Sequence, residues 1–273
     1  MDLHALTQLG KDTRYPDSPC AELLQAIPRQ FSRAALGLDP EAALPFHGVD
    51  LWTHYELSWL DAYGKPCVAI GELRVPAEST NIIESKSLKL YFNGLNFTRF
   101  DSPQAFVTRV EADLSAVAAA AVTLDLLDAG AASALAAFPG TCLDDLALDT
   151  DIYTPDPSLI RTREGMREDA VWHSHLLRTN CPVTDQPDWA SIIIHARGPA
   201  LAPESLLAYL VSYRRHSDFH EQCVERIFYD LMTYAGLDQL TVYARYTRRG
   251  GLDINPFRSN FETLSESLRV ARQ

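Results

Sequence analysis

Two stretches, Leu51 to Leu60 and Pro66 to Val75, interleave apolar and polar residues in the manner of strands. Gly64-Lys65 lies in the turn between them, so the pair reads as a hairpin. The apolar positions of Glu84-Ser85-Lys86-Ser87-Leu88-Lys89-Leu90-Tyr91-Phe92 suit a short helix. Ser102 as cap and Pro103 at the first helical position open a longer helix, which runs through alanines towards Val122. The second half follows the same order. Val171 to Arg178 and the β-branched run Trp189 to Ala196 predict strands, and Pro203 starts a helix through Leu206, Leu207 and Leu210. Ser217 is the expected cap of a further helix, whose apolar Phe219, Cys223, Val224, Ile227, Phe228 and Leu231 recur near a 3.6-residue period. Gly236 stops that helix, and Leu240 to Thr247 returns as a strand.

Each half thus reads strand, strand, helix, helix, strand. Between the halves, Tyr153-Thr154-Pro155-Asp156-Pro157 and the charged stretch Arg161 to Asp169 suit a linker. The expected fold class is α+β, with two modules, residues 1–155 and 156–273. Each would be an antiparallel sheet with two helices on one face. A chain of 273 residues has the size for one large core or two modest ones.

Composition removes some classes of function. There are 36 acidic against 24 basic side chains, a net charge of -12, so neither nucleic acid nor a membrane surface is an expected partner. A small anion could still be held where a few basic side chains gather. The polar start, Met1 to Cys20, predicts no targeting segment, and Asp125 and Asp128 break the alanine-rich stretch that could otherwise span a membrane. Cys20, Cys67, Cys142, Cys181 and Cys223 are odd in number and widely spaced, without a C-x-x-C pair. That pattern predicts reduced thiols and a cytoplasmic protein. Residues 1–50 carry no motif.

The most informative run is Asn180-Cys181-Pro182-Val183-Thr184-Asp185-Gln186-Pro187-Asp188-Trp189, which joins two predicted strands. Its two prolines forbid regular pairing inside it, so it is a loop of restricted conformation. If the flanking strands pair, Cys181 and Asp188 stand at its two feet, about 5 Å apart. A free thiol, with a pKa of about 8.5, is mostly protonated at neutral pH, so a nucleophilic Cys181 needs help. A nearby carboxylate opposes ionisation, which makes Asp188 a proton carrier for a substrate rather than an activator. Spacing alone leaves open a small buried core thiol beside a turn aspartate.

Two further clusters carry candidate chemistry. In His216-Ser217-Asp218-Phe219-His220-Glu221, Glu221 suits the positive end of a helix dipole and could accept two hydrogen bonds from a guanidine-like edge. His220 shares a face with Val224, Ile227 and Leu231, so its plainer reading is a core histidine. The run Thr247-Arg248-Arg249-Gly250-Gly251-Leu252-Asp253-Ile254-Asn255-Pro256 ends the last predicted strand. Paired arginines beside paired glycines can hold phosphate, and a solvated turn is the alternative. Lys86 and Lys89 add a second basic point. No G-x-G-x-x-G follows a predicted strand, so a Rossmann nucleotide site is not expected.

Together the Glu84–Tyr91 run, the Asn180–Trp189 loop, Phe219-His220-Glu221 and Arg248 to Pro256 resemble the NADPH-dependent 7-cyano-7-deazaguanine reductases. These are the nitrile reductases of queuosine biosynthesis, and the likeness runs from about Leu51 onward, in their longer two-module form. It implies tandem tunnelling-fold modules, a homodimer, NADPH as cofactor, no metal, and one active site per chain. It also implies that Cys181 adds to the nitrile carbon of 7-cyano-7-deazaguanine to give a covalent thioimide. Asp188 would protonate the nitrogen, and two hydride transfers would give the aminomethyl product. Glu221, beside His220, would hold the deazaguanine ring with Ile83, Glu84 and Ser85. Ser85, Lys86, Arg249 and Gly250 would contact NADPH. Ala190 stands where the family usually has glycine, outside the residues with assigned chemistry.

Two rival readings follow from the same residues. A zinc-dependent cyclohydrolase of the same fold class would use Cys181 and His220 with His173 or His175 as ligands. A purine-binding module without catalysis would use Glu221 to read a base edge.

Overall fold

The computed structural model describes residues 15, 16, 18, 20–130, 135–265 and 267–273. Along the chain come β1 (Ala26–Pro28), α1 (Gln30–Ala35), β2 (His47–Leu60), β3 (Pro66–Pro76), β4 (Asn81–Ile83), α2 (Ser85–Leu95), α3 (Pro103–Ala118) and β5 (Thr123–Leu127). They are followed by β6 (Thr141–Cys142), β7 (Thr162–Ser174), β8 (Arg178–Asn180), β9 (Pro187–Leu201), α4 (Pro203–Ser212), α5 (His220–Ala235), β10 (Gln239–Tyr246) and β11 (Leu252–Ser259).

The predicted hairpin, β2 with β3, forms, and both helix pairs form where the apolar pattern predicts them. Ser102 Oγ accepts the Ala105 N–H as the cap of α3, and Gly236 ends α5 at φ 64°. The strands β5-β3-β2 make one antiparallel unit, and β11-β10-β9-β7 another. They do not stay separate. β11 pairs antiparallel with β2 from Leu252↔His54 to Ser259↔His47, so the two units fuse into one continuous sheet. Gly48 sits in that seam. A Cβ there would lie 2.0 Å from the Phe257 carbonyl oxygen, so only glycine allows this approach.

The first unit packs Trp52, Leu57 and Leu73 against Leu88, Tyr91, Phe106 and Val110 of α2 and α3. The second packs Ile192, Ile194 and Val242 against Leu206, Leu210, Ile227 and Phe228 of α4 and α5. Leu252 of β11 belongs to the first core, while Arg258 bonds Glu225 on α5. Both lie at even positions of one strand, so the two helix pairs cover the same face. Among the described residues, no helix is long and apolar enough to cross a membrane.

Several expectations need correction. The charged stretch Arg161 to Asp169 is mostly the start of β7 rather than linker. It pairs with β9 from Thr162↔Leu201, and ion pairs such as Arg163–Glu168 serve an exposed strand, where charge is tolerated. Ser217 does not cap α5. The cap position is Phe219 without a side-chain bond, and Ser217 instead bridges to Asn180. The strand expected from Val171 to Arg178 is split into β7 and β8. The helix expected to reach towards Val122 ends at Ala118, and β5 follows it. Leu252 to Pro256, placed in the run that ends the last predicted strand, begins a further strand, β11.

Candidate active site

The loop from Cys181 to Gln186 closes on itself: Cys181 N–H donates to the Gln186 carbonyl at 2.9 Å, and Asp185 N–H to the Cys181 carbonyl at 3.1 Å. Asp185 supplies the left-handed residue this turn needs, at φ 54°. Its feet are set by β8 and β9, which pair Asn180↔Pro187 and Thr179↔Asp188. Asn180 also receives the segment before α5, through Asn180 N–H to the His216 carbonyl at 2.8 Å and Asp218 N–H to the Asn180 carbonyl at 3.2 Å. One asparagine thereby binds the Cys181 loop to the start of α5.

That joint opens a cleft of about 620 Å³, open solvent included. Cys181, Asp188, His220, Glu221, Arg249, Ile83 and Ser85 all line it, so seven of the expected site residues meet in one place. Trp52 and Ile82 complete its apolar wall. The unit on the β2 side supplies Ile83 and Ser85, and the other unit supplies the rest of the seven.

Asp188 is 3% exposed and held by two partners. Its Oδ2 stands 3.2 Å from His220 Nε2, and its Oδ1 2.7 Å from Arg249 Nη2. Burial alone raises the Asp188 carboxyl, but His220, Arg249 and Lys89 outweigh it and hold the group below the usual carboxylate range. The resting residue is a carboxylate. His220 lies flat on Tyr246, with ring centroids 3.7 Å apart and an interplanar angle of 1°. Arg249 also donates to Gln186 Oε1 at 2.6 Å, which ties it to the Cys181 loop.

Glu221 faces different surroundings. It is 1% exposed, and its Oε1 has no hydrogen-bond partner. Burial, reinforced by the nearby Asp50 carboxylate, pushes its carboxyl up to about 8 despite Arg29 and Arg258. Beneath it lies a buried set of charges that the motifs did not reveal. Arg258 joins Asp50 at 2.8 Å and Glu225 at 2.8 Å, Arg33 reaches Glu225 at 2.8 Å, and Arg29 pairs with Asp50. These residues come from four separate segments, so no local spacing announces them.

Other expected residues stand elsewhere. Glu84 is fully buried, and its two carboxylate oxygens accept the Lys86 and Ser87 N–H groups at 2.8 Å each, as the cap of α2. It positions Ile83 and Ser85 and does not itself line the cleft. Neither do Lys86 and Gly250. Gly250 borders an adjoining cleft with His54, Glu56 and Phe92, and Lys89 lines both spaces. Lys89, read from the sequence only as part of a second basic point, was not assigned to the site it lines. Burial and Arg249 lower its ammonium, while Glu84, Asp188 and Cys181 act in the opposite sense. Its signal was its place one turn after Ser85 on the same helix face.

Gly250 and Gly251, at φ 62° and 79°, form the tight turn that returns the chain to β11, closed by Arg249 N–H to the Leu252 carbonyl at 2.9 Å. His173 and His175 do not join Cys181. Their Nδ1 atoms bond the Pro139 carbonyl at 2.9 Å and Ser191 Oγ at 2.8 Å. Among the described residues, no three His, Cys, Asp or Glu side chains gather as a metal-ligand set.

Residues 15–126 match the family model described as "Nitrile reductase, 7-cyano-7-deazaguanine-reductase N-term", and residues 187–264 match "QueF-like protein". A protein of Chromohalobacter salexigens named NADPH-dependent 7-cyano-7-deazaguanine reductase is 52% identical over 267 residues, which cover 97% of this chain and 96% of the relative. Proteins with the same name from Teredinibacter turnerae and Saccharophagus degradans are 51% and 49% identical. The former aligns over the whole of both chains, the latter over 97% of this one and 98% of its own. With the Cys181 loop, the Glu221 pocket and matches of this extent, the chain belongs to the family of NADPH-dependent 7-cyano-7-deazaguanine reductases.

Proposed function

We propose that this protein uses NADPH to reduce the nitrile of 7-cyano-7-deazaguanine to the aminomethyl product, through a covalent thioimide on Cys181, in queuosine biosynthesis for tRNA modification. The observation that carries the reading is the meeting of Cys181, Asp188 and Glu221, whose Oε1 has no hydrogen-bond partner, in one cleft. The same reading takes residues 1–155 and 156–273 as tunnelling-fold modules, the protein as a homodimer, and the cytoplasm as its compartment.

A nitrile carbon is a weak electrophile, and a polarisable thiolate is suited to it. In the first step the Cys181 S–H bond breaks and an S–C bond forms. Asp188, a carboxylate at rest, takes the thiol proton and delivers it to the nitrogen, giving the S–C(=NH) adduct. This refines the expected role: Asp188 acts first as base and then as acid, and its low pKa makes it quick to give the proton up. Lys89, on the cleft wall, offers a cation to the developing thiolate. Glu221 accepts from the N–H edge of the base, which gives its orphan Oε1 a partner. His220 keeps Asp188 oriented from the side of Tyr246.

The residues of this chain fit the cofactor. Lys89 and Arg249 are cations on the cleft, and the Gly250-Gly251 turn has no Cβ to block close approach. Ser85, Lys86, Arg249 and Gly250, with Lys89, would hold NADPH, which supplies the two hydrides. The chain's part in those steps is to bring a proton to nitrogen for each, again through Asp188, and to return the Cys181 sulfur.

The test is direct. Mixing the protein with 7-cyano-7-deazaguanine gives a covalent adduct by mass spectrometry that Cys181→Ala lacks, and NADPH is oxidised only by the unmodified chain. No adduct, in protein that oxidises no NADPH with this substrate, refutes the reading.

A further inference from the structure

The ladder between β10 and β11 is short. It runs from Thr241↔Ser259 to Tyr243↔Phe257 and stops. The next residue of β11 is Pro256, which has no N–H to give. Beyond it the strands part, and the cleft opens between their ends, lined by Thr247 and Arg249 on one side and Leu252 and Ile254 on the other.

This parting leaves the backbone of Tyr246 without β11 partners in the middle of a sheet, where unpaired groups are costly. Two side chains take the place of the strand. Tyr246 N–H donates to Asn255 Oδ1 at 3.1 Å, and the Tyr246 carbonyl accepts from Gln273 Nε2 at 3.0 Å. Gln273 Nε2 also lies 2.9 Å from Asn255 Oδ1 and 3.2 Å from Asp253 Oδ2. Its Oε1 accepts from Arg245 Nε at 2.8 Å. Gln273 is 6% exposed and makes these bonds on the face opposite the helices. It is thus a wedge between two central strands, directly behind Tyr246, on which His220 is stacked.

We infer that Gln273 is a positioning residue for the proposed reaction: its side chain replaces the missing ladder at Tyr246 and so holds the His220–Asp188 pair. The inference rests on the reading of Asp188 as proton carrier. The chain of contact is continuous, from Gln273 to the Tyr246 carbonyl, through the ring stack to His220, and from His220 Nε2 to Asp188. If Tyr246 slips, His220 slips with it and Asp188 loses a partner. Arg249 on the turn after β10, Lys89 on α2 and Cys181 on its loop also face Asp188, while Cys223 on α5 and Tyr246 feel its charge. Gln273 bonds Arg245, Tyr246, Asp253 and Asn255 rather than Arg249, Lys89, Cys181 or Cys223, so the change at Asp188 reports the Tyr246–His220 contact.

Gln273→Met fills the same volume and offers no hydrogen bond, while Gln273→Asn keeps the amide on a shorter arm. Steady-state reduction, its pH profile and the Asp188 carboxyl titration followed by NMR are measured on both, beside melting curves. A misplaced proton carrier is expected to cost about tenfold or more in kcat with KM for NADPH unchanged. The acid limb of the profile moves to higher pH, and the Asp188 carboxyl, losing His220, rises with it. Wild-type kcat, pH profile and Asp188 titration in a folded Gln273→Met overturn the inference. So does a loss of kcat with the pH profile and titration unmoved, which marks a packing role alone. Should Gln273→Met fail to fold, Gln273→Asn is judged by the same criteria. The NMR titration needs no turnover, so it decides the matter even if the unmodified protein reduces no nitrile, a result that would instead count against the proposed function.

Discussion

Asp188 Oδ2 and His220 Nε2 face each other at 3.2 Å across the joint between β9 and α5, one arriving from a strand and the other from the first residue of a helix. Arg249 holds the opposite oxygen. Replacing Asp188 by Asn keeps the shape and removes the group that carries the proton. The expected loss in kcat is about 10²–10⁴-fold, with the covalent adduct failing to form while 7-cyano-7-deazaguanine still binds. Time-resolved mass spectrometry and equilibrium binding on Asp188→Asn check the two halves of this prediction.

The same pair makes a prediction about stability and acid. The Asp188 pKa is lowered in the folded protein from an ordinary value of 3.8, so its ionised form stabilises the fold above that pH. The contribution is lost as pH falls through the folded value. Denaturation of the unmodified protein and of Asp188→Asn, compared between neutral pH and pH 3, should show the advantage of the former shrinking in acid. An advantage that grows in acid would refute this assignment.

Glu221 predicts the opposite slope. Its folded pKa is raised from 4.5 to about 8, so the folded state holds an extra proton between those values. That stabilisation is present below pH 4.5 and is lost as pH rises towards 8. Glu221→Gln should therefore gain stability relative to the unmodified protein on going from pH 6 to pH 9. Binding a ligand whose N–H groups need the ionised carboxylate should release a proton at pH 7. Calorimetry in buffers of different ionisation heat reads that release, which should vanish in Glu221→Gln.

The buried charges beneath the cleft bind the two halves of the chain together. Glu225 of α5 faces Arg258 and Arg33 at 2.8 Å each, so Glu225→Gln leaves buried guanidinium groups without their counter-charge. The expected cost is about 3–5 kcal/mol. Chemical denaturation measures it, and a change under 1 kcal/mol would show that the network is compensated elsewhere.

The seam itself is tested at Gly48. A methyl group there meets the Phe257 carbonyl oxygen at 2.0 Å, and that atom belongs to the backbone of β11. Gly48→Ala must push β2 and β11 apart, and overpacking of this kind costs about 1–3 kcal/mol. Faster amide exchange at the β2–β11 pairs, with those of β9 and β10 protected, is the expected pattern.

The parts of this protein legible from residue order are those whose cause is local. Alternation and helical period placed the hairpin and helices, Ser102-Pro103 marked the start of α3, and Gly236 the end of α5. The Cys181 loop was readable because two prolines and its flanking strands restrict it. Resemblance to a family then named the partners of that loop, and seven of its residues line one cleft. Spacing could not say that both Glu84 oxygens accept the N–H groups of its own helix.

Tertiary structure alone decided the rest. That β11 is a central strand could not be read from a run containing Pro256, Asp253 and Asn255, because strand pairing depends on partners some 200 positions away. The union of Arg29, Asp50, Glu225 and Arg258 has the same origin, as does the wedge at Gln273. Residue order thus determined which elements form and where a thiol and a carboxylate could meet. Folding determined their ionisation, because pKa values answer to burial and to charges brought near in space, whatever their distance along the chain.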